Sequence, residues 1–216
     1  NSLSNKLKKE KVDVIIHCAT HYKRNHVFND VNKFINSNIL LGNIMLENIK
    51  TLNAKKFINF STTWEDSDGI ENNPKNLYAA YKKSFNCIIQ YYKKNLNNIK
   101  FIDLMIMDTF GKNDKREKLI NIIRKNNYKK KILRIVSKKL YLNLVNVEDI
   151  VAAVKIILKK NIKSGKYILK NSIYFNIFEL IKYINKNNDN KIKIKWLSNT
   201  LIKDKIFKYK KLKSWN

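Results

Sequence analysis

The chain has 216 residues, 44% of them hydrophobic and 11% aromatic, which is enough for one good-sized domain or a domain with a lobe and excludes wholesale disorder. No apolar run reaches about 18 residues, so no helix of this sequence spans a membrane. The net charge is +28, from 45 Lys and Arg against 17 Asp and Glu, and such an excess points either to a polyanionic partner or to compositional drift.

Three apolar runs read as buried parallel strands: Val12–Thr20 (VDVIIHCAT), Phe57–Thr63 (FINFSTT) and Phe101–Gly111 (FIDLMIMDTFG). Each is short and ends in small or polar residues, as strands covered on both faces do where they open on a site. Two helical patterns alternate with them. The first spans Asp30–Leu52, with Phe34, Ile35, Ile39, Leu46 and Ile49 as its apolar stripe. The second spans Pro74–Lys94, with Asn73 as its expected cap and Pro74 in its first turn. This alternation predicts a doubly wound α/β fold with a parallel sheet and right-handed crossovers.

Beyond Gly111 a charged loop (KNDKREK) leads to a helix over Leu119–Asn126 and strand-like sequence over Lys131–Val145. A helix over Asn146–Lys160 carries acidic residues in its first turn, where the helix dipole favours them, and Gly165 closes that region. The stretch Tyr167–Asn185 reads as strand, turn and helix. Lys191–Leu197 (KIKIKWL) alternates like a half-exposed strand.

Arginine occurs only at positions 24, 116, 124 and 134, so nearly all the positive charge is lysine. Arginine is the bidentate reader of bases and phosphates, and its scarcity counts against a dedicated nucleic-acid surface. Lys, Asn and Ile share A/T-rich codons, which accounts for the profile without a polyanion. Cys18 and Cys87 lie far apart and form no metal-ligand spacing, so they read as reduced thiols of a cytoplasmic protein, with no metal site. The acidic loop Glu65–Asp68 (EDSD) has no histidine and reads as solvated. His17, inside an apolar strand, reads as a packed structural histidine.

In an open parallel sheet, ligands bind beyond the carboxyl ends of the strands. Those ends carry His17–Thr20, Ser61–Thr63 and Met107–Gly111. The helix beginning near Pro74 places Tyr78 and Lys82 one turn apart on one face. A phenol ordinarily titrates near pH 10, and a neighbouring ammonium lowers that value, which makes Tyr78 a usable proton-transfer group near neutrality. Thr62 is placed to hold a substrate hydroxyl. Hydride transfer at the same carbinol needs a nicotinamide cofactor, because no side chain performs it. Alone, a Tyr-x-x-x-Lys spacing is weak and describes many wet helix faces.

The ordered segments VDVIIHCAT, NILLGNIMLENIK (Asn38–Lys50), KKFINFST (Lys55–Thr62), NPKNLYAAYKKSF (Asn73–Phe85), MDTFGKNDKR (Met107–Arg116), LNLVNVEDIVAAV (Leu142–Val154) and LKSW (Leu212–Trp215) resemble the extended short-chain dehydrogenase/reductases, in their NAD-dependent epimerase/dehydratase branch. The resemblance runs through most of the chain. It implies that Tyr78 is the acid/base, that Lys82 binds the nicotinamide ribose and tunes Tyr78, and that Thr62 positions a sugar hydroxyl. Cys18, Ala19, Thr20, Asn38 and Ser61 would line an NAD or NADP cofactor. Thr63, Trp64, Asp108 and Arg116 would face the sugar nucleotide. It further implies a Rossmann-like domain over residues 1–111 and 146–165, lacking its first βαβ unit, and a smaller C-terminal α/β substrate lobe over 112–145 and 166–216.

The chain departs from the family pattern in two places. Its glycines, Gly42, Gly69, Gly111 and Gly165, form no Gly-rich fingerprint, so the expectation is a fragment of a longer enzyme. Thr62 is followed by Thr63 and Trp64 before Glu65 and Asp66, whereas the dehydratases place Asp-Glu directly after the threonine. That difference favours epimerisation or 4-keto-reduction over dehydration, and the resemblance implies a nucleotide-diphosphate sugar as substrate, a place in cell-surface polysaccharide synthesis and a cytoplasmic homodimer. The alternative is a basic, non-catalytic binding protein for nucleic acid or an anionic surface, or a decayed paralogue keeping only the fold.

Overall fold

In this computed structural model the described residues are 5, 11–114, 116, 118–129, 132–187, 191–203, 205 and 208–211. The LKSW segment, Leu212–Trp215, lies outside them. The chain divides into two compact units, Asn1–Ile106 with Ile157–Ile168 and Ile206–Lys213, and Met107–Ile156 with Leu169–Lys205 and Ser214–Asn216.

The first unit opens with strand β1 (Val14–His17). Helix α1 follows, built from Val31–Phe34, a π turn at Ile35–Leu40 and a second α segment at Leu41–Glu47. Next come β2 (Lys56–Thr62), a 3-10 turn at Thr63–Gly69, helix α2 (Leu77–Asn95) and β3 (Lys100–Ile106). With β8 (Gly165–Leu169) and β12 (Lys210–Lys211) the strands form one sheet in the order β1-β2-β3-β8-β12. The pairs β1–β2, β2–β3 and β8–β12 are parallel, with Ile16 beside Ile58, Asn59 beside Asp103 and Thr62 beside Ile106.

Alternation along the strands decides what the helices cover. Side chains two apart share a face, so Phe57, Asn59 and Ser61 of β2 point the same way, as do Phe101 and Asp103 of β3. Helix α2 buries Ala79, Lys82, Phe85, Asn86, Ile89 and Tyr92, a spacing of three and four that makes one continuous stripe. At the amino ends of the strands the layer between stripe and sheet is apolar, joining Phe57, Phe85, Ile89 and Phe101 with Leu46 and Ile49. Toward the carboxyl ends the same layer turns polar and holds Asn59, Ser61, Lys82, Asn86 and Asp103, all buried.

Several expected boundaries move for identifiable reasons. Helix α2 starts at Leu77, because Asn76 takes extended backbone and its Oδ1 accepts the Ala79 N–H at 3.0 Å. Asn73, the expected cap, instead closes the preceding loop, its carbonyl accepting the Ser67 N–H at 3.0 Å and the Ser67 hydroxyl at 2.8 Å. The run Phe101–Gly111 is two strands. Pairing with β2 runs out at Thr62, and Asp108–Phe110 becomes β4, paired in parallel with Leu144–Asn146 in the second unit. The helix over Val147–Lys159 ends ahead of Gly165, which opens β8.

The second unit contains β4, helix α3 (Leu119–Lys129), β5 (Leu133–Ile135), β6 (Leu140–Leu142), β7 (Leu144–Asn146) and helix α4 (Val147–Lys159), whose last residues belong to the first unit. β9 (Phe175–Asn176), helix α5 (Ile177–Lys186), β10 (Ile194–Trp196) and β11 (Ile202–Lys203) complete it. Its core gathers Ile123, Ile135, Leu140, Ile177, Ile181 and Ile192. Among the described residues no helix is long and apolar enough to cross a membrane.

Candidate active site

The loop leaving β1 is held from beneath by the π turn of α1. Asn38 is fully buried; its Oδ1 accepts the His21 N–H at 2.6 Å and the Thr20 hydroxyl at 3.1 Å, while its Nδ2 donates to the His21 carbonyl at 3.1 Å. The extra residue of a π turn aims a side chain that a regular helix would turn away. Asn38 therefore shapes the loop that Thr20 belongs to and presents no free edge of its own. Cys18 and Thr20 are exposed and Ala19 is half-buried at the carboxyl end of β1. Burial pushes the Cys18 thiol up from its ordinary value, and the nearby Lys82 cation works in the opposite direction. His17 is buried, stacked on Phe57 at 6.2 Å and edge-on to Phe85 at 5.2 Å, and burial with help from Lys82 pushes it down to about 4. It is a neutral packed ring, as an apolar strand requires.

Lys82 is not on a wet helix face. Its side chain is packed against β2, the residue is 2% exposed, and its Nζ donates to the Phe60 carbonyl at 2.8 Å, two residues before Thr62. Burial lowers its proton affinity, and the carboxyls of Asp103 and Glu65 pull it back up. Tyr78, one turn earlier and half-buried, meets the Tyr22 ring edge-on at 5.0 Å. Tyr22 also lies 6.3 Å from the Trp64 ring, and Lys75 sits 4.9 Å over Trp64. Thr62 caps the turn that follows β2, its Oγ1 accepting the Trp64 N–H at 3.3 Å. Ser61 and Thr63 are buried beside it. The carboxyl end of β2 and the first two turns of α2 thus bring Thr62 and Lys82 to one strand end, with Tyr78 on the same helix face as Lys82 and sharing an aromatic cluster with Trp64.

Of the acidic loop, Asp68 is exposed as expected, but the first two acids are not solvated. Glu65 and Asp66 are buried, 0% and 2% exposed. Asp66 accepts the Lys83 ammonium at 2.6 Å, the Asn72 N–H at 2.8 Å and the Tyr209 hydroxyl, and these donors hold its carboxyl below the usual range against the opposing effect of burial. The turn folds inward because a short run of Thr63–Gly69 closes on itself with Asp68 and Gly69 at positive φ, which carries the first two acids under the helix. Among the described residues no group of three or more His, Cys, Asp or Glu is arranged to hold a metal ion.

Asp108 and Arg116 belong to the second unit. Arg116 is exposed and forks onto Asp114 at 2.7 and 2.6 Å, with an Nη2 contact to the Thr109 hydroxyl at 3.2 Å. Asp108 is half-buried on β4. The same unit encloses a cavity of about 410 Å³, lined by Phe110, Ile120, Leu144, Phe175, Leu180 and Ile184, with Asn146, Asp149 and Asn171 as polar groups. Its lining contains none of Thr62, Tyr78 and Lys82. Sequence reasoning missed Tyr22, Asn86 and Asp103. The signal for the last two was present: a lone acid inside the apolar run FIDLMI, and an amide one further turn along the Tyr78–Lys82 face.

Residues 1–169 match the model of the NAD dependent epimerase/dehydratase family. The chain is 28% identical to CDP-abequose synthase of Yersinia pseudotuberculosis over 199 residues, covering 89% of this chain and 69% of that protein. It is 30% identical to dTDP-D-glucose 4,6-dehydratase of Dictyostelium discoideum over 181 residues, 73% of this chain and 41% of that one. Among solved structures, UDP-glucuronic acid 4-epimerase from Bacillus cereus, in complex with UDP-glucuronic acid and NAD, superimposes with a TM-score of 0.79 at 21% identity, covering 92% of this chain and 66% of that one. That likeness shows the shared fold, and the chain spans about two-thirds of the length of the epimerase. The family match extends over most of the sequence and takes in both the β2 end and the Tyr78–Lys82 helix, and so the chain belongs to the NAD dependent epimerase/dehydratase family.

Proposed function

We propose that this chain carries the reaction centre of an NAD(P)-dependent enzyme that epimerises or reduces a nucleotide-diphosphate sugar at a carbinol or ketone carbon. The observation that carries the reading is the buried Lys82 ammonium on the Phe60 carbonyl, which ties the Tyr78–Lys82 face of α2 to the strand ending at Thr62. Tyr78 exchanges a proton with the sugar oxygen, Thr62 holds that oxygen in line, and Lys82 stabilises the phenolate form of Tyr78 by its charge.

The residues fit the nicotinamide-ribose end of a dinucleotide. Lys82 has three N–H donors and Phe60 takes one, a donor set suited to a ribose diol. Cys18, Ala19, Thr20 and Ser61 belong to the β1 and β2 ends, and Asn38 fixes the loop between them and α1. The four glycines are too scattered for a pyrophosphate-binding turn, so these residues account for one end of the cofactor only. When bound, the nicotinamide supplies or accepts the hydride. NAD against NADP is a choice these residues do not make.

On this reading the dinucleotide belongs to residues 1–111 and 146–165, and the sugar nucleotide to 112–145 and 166–216 with Thr63, Trp64, Asp108 and Arg116. The Thr62–Thr63–Trp64 order favours epimerisation or keto-reduction over dehydration. A homodimer in the cytoplasm, serving polysaccharide-sugar synthesis, completes the proposal, and sedimentation of the purified protein reads the dimer directly. The reaction itself is tested by Tyr78→Phe in the intact protein. Turnover of CDP-, dTDP- and UDP-hexoses with NAD or NADP is expected to fall at least about 100-fold with the unfolding temperature unchanged, since a positioned proton-transfer group contributes that much. Unchanged turnover overturns the assignment.

A further inference from the structure

The polar layer under α2 contains more acid than it has donors for. Asn86 Nδ2 donates to Asp103 Oδ2 at 2.7 Å and to Glu65 Oε2 at 3.0 Å, with Ser61 Oγ at 3.5 Å. Asn59 Nδ2 donates to Asp103 Oδ1 at 2.7 Å. Lys166 of β8 approaches Glu65 Oε2 at 3.6 Å. Among the described residues, three buried oxygens of this layer then remain without a hydrogen-bond partner: Glu65 Oε1, Asn59 Oδ1 and Asn86 Oδ1. All are acceptors, and a buried acceptor left unmet is costly. The arrangement is short of a proton.

The geometry also says where that proton belongs. Both oxygens of Asp103 receive an amide N–H, which suits a carboxylate. Glu65 receives one such bond and has an empty Oε1. A proton on Oε1 converts one of the orphan acceptors into a donor. Asn86 lies one turn after Lys82 on the same face, and Asp103 pairs across the sheet with Asn59, the residue before the Phe60 carbonyl that Lys82 holds. We propose that Glu65 and Asp103 form a buried acid pair holding one proton, on Glu65, and that the Asp103 carboxylate is the counter-ion that keeps Lys82 charged. Its functional meaning rests on the role given to Lys82 above; Glu65 and Asp103 are positioning residues acting through that lysine.

Electrostatics agree with the geometry. Burial first, then the Asp103 charge, push the Glu65 carboxyl up to about 8, against Lys166, Asn86 and Lys83. Burial raises Asp103 as well, and Lys166, the two amides and Lys82 oppose it. The groups facing the pair are thus Lys166 from β8, Lys82 and Lys83 from α2, and Tyr209 next to β12; Lys82 in turn faces His17 and Cys18. Two carboxylates in one dry layer do not both ionise when one proton can be retained.

Carbon-13 NMR of the side-chain carboxyls and lysine ε-carbons tests this on the ligand-free chain, with signals assigned from Glu65→Gln, Asp103→Asn and Lys82→Met. The Glu65 carboxyl is expected to be protonated at pH 6 and Asp103 ionised. Asp103→Asn should lower the proton affinity of Lys82 about tenfold or more, one unit of titration midpoint, and Glu65→Gln should lower it by less. Thermal unfolding gives a second readout. The folded state keeps a Glu65 proton that the unfolded chain has lost, so the Glu65 contribution to stability falls as pH rises from the ordinary glutamate range to about 8, and Glu65→Gln removes that contribution from the difference between variant and parent. An ionised Glu65 at pH 6, or parallel slopes for wild type and Glu65→Gln, overturns the single-proton pair. An unmoved Lys82 midpoint in Asp103→Asn overturns the counter-ion role. Neither readout needs dinucleotide or turnover, so a failure here is separate from a failure of Tyr78→Phe.

Discussion

His17 shows how a single residue can be read through to a measurement. Its ring lies between Phe57 and Phe85, and the Lys82 cation nearby adds to the cost of charging it, so the folded state binds the proton only near pH 4. The unfolded chain takes that proton near pH 6.5. Between those values the unfolded state carries more protons, and stability is lost as pH falls through the window. The shift corresponds to about 3 kcal/mol between pH 7 and pH 4, from about 1.4 kcal/mol per unit. His17→Met should flatten this contribution in chemical denaturation across that range, whatever it does to stability at pH 7. The Glu65 slope runs in the opposite direction over part of the same window, so the comparison that isolates His17 is variant against parent at each pH. The packed histidine was legible in the sequence, because an imidazole inside VDVIIHCAT has apolar neighbours on both sides. The inward turn of Glu65 and Asp66 was not. A four-residue acidic run looks solvated until one knows that Lys83, Asn86 and Tyr209 wait beneath it, and those donors come from 17, 21 and 143 residues away in sequence.

At the scale of elements, the same distinction separates what periodicity reveals from what pairing decides. Strand and helix order were legible, since alternating apolar runs and three-to-four spacing are local. The split of Phe101–Gly111 into β3 and β4 depended on where β2 stops, which no residue of that run records. The π turn of α1 was equally hidden: Ile35 and Ile39 continue the apolar spacing, yet the inserted residue leaves Ile35 exposed and drives Asn38 inward. Gly42, two residues past that turn, shows how tightly the helix then seats. A Cβ added there would lie 2.3 Å from Phe85 Cζ, 2.6 Å from Phe85 Cε2 and 3.0 Å from His17 Nε2. Alanine is ordinarily the better helix residue, but here its methyl would have to displace a fully buried ring of α2. Gly42→Ala is expected to destabilise the chain by about 1–3 kcal/mol in urea unfolding. A stabilised variant would mean that α1 and α2 pack less closely than described.

For the whole molecule the governing quantity is the charge of +28 on 216 residues. Among the described residues, ion pairs engage Lys33, Lys83, Arg116 and Lys166 with four different acids, and 45 basic against 17 acidic side chains leave a large positive excess. This excess of positive charge repels itself across a surface whose dimensions exceed the screening length at moderate salt, about 10 Å at 0.1 M against about 30 Å at 0.01 M. Folding gathers the charges closer than the unfolded chain does, so the compact state carries the larger penalty. Raising sodium chloride from 0.01 to 0.3 M should therefore raise the unfolding temperature by about 5 °C, the size expected for 1–2 kcal/mol in a chain of this length. Filter binding across a salt series separates diffuse repulsion from a built nucleic-acid surface. Repulsion needs no bound anion, so on that account single-stranded DNA is not retained at about 0.15 M salt. A nucleic-acid grip would instead hold single-stranded DNA there and release it steeply as salt rises further. Lysine supplies almost all the charge, and the Arg116 guanidinium is already forked onto Asp114. DNA that is not retained would leave the charge as a property of composition, and the chemistry of the molecule would then rest with the few groups that burial has tuned.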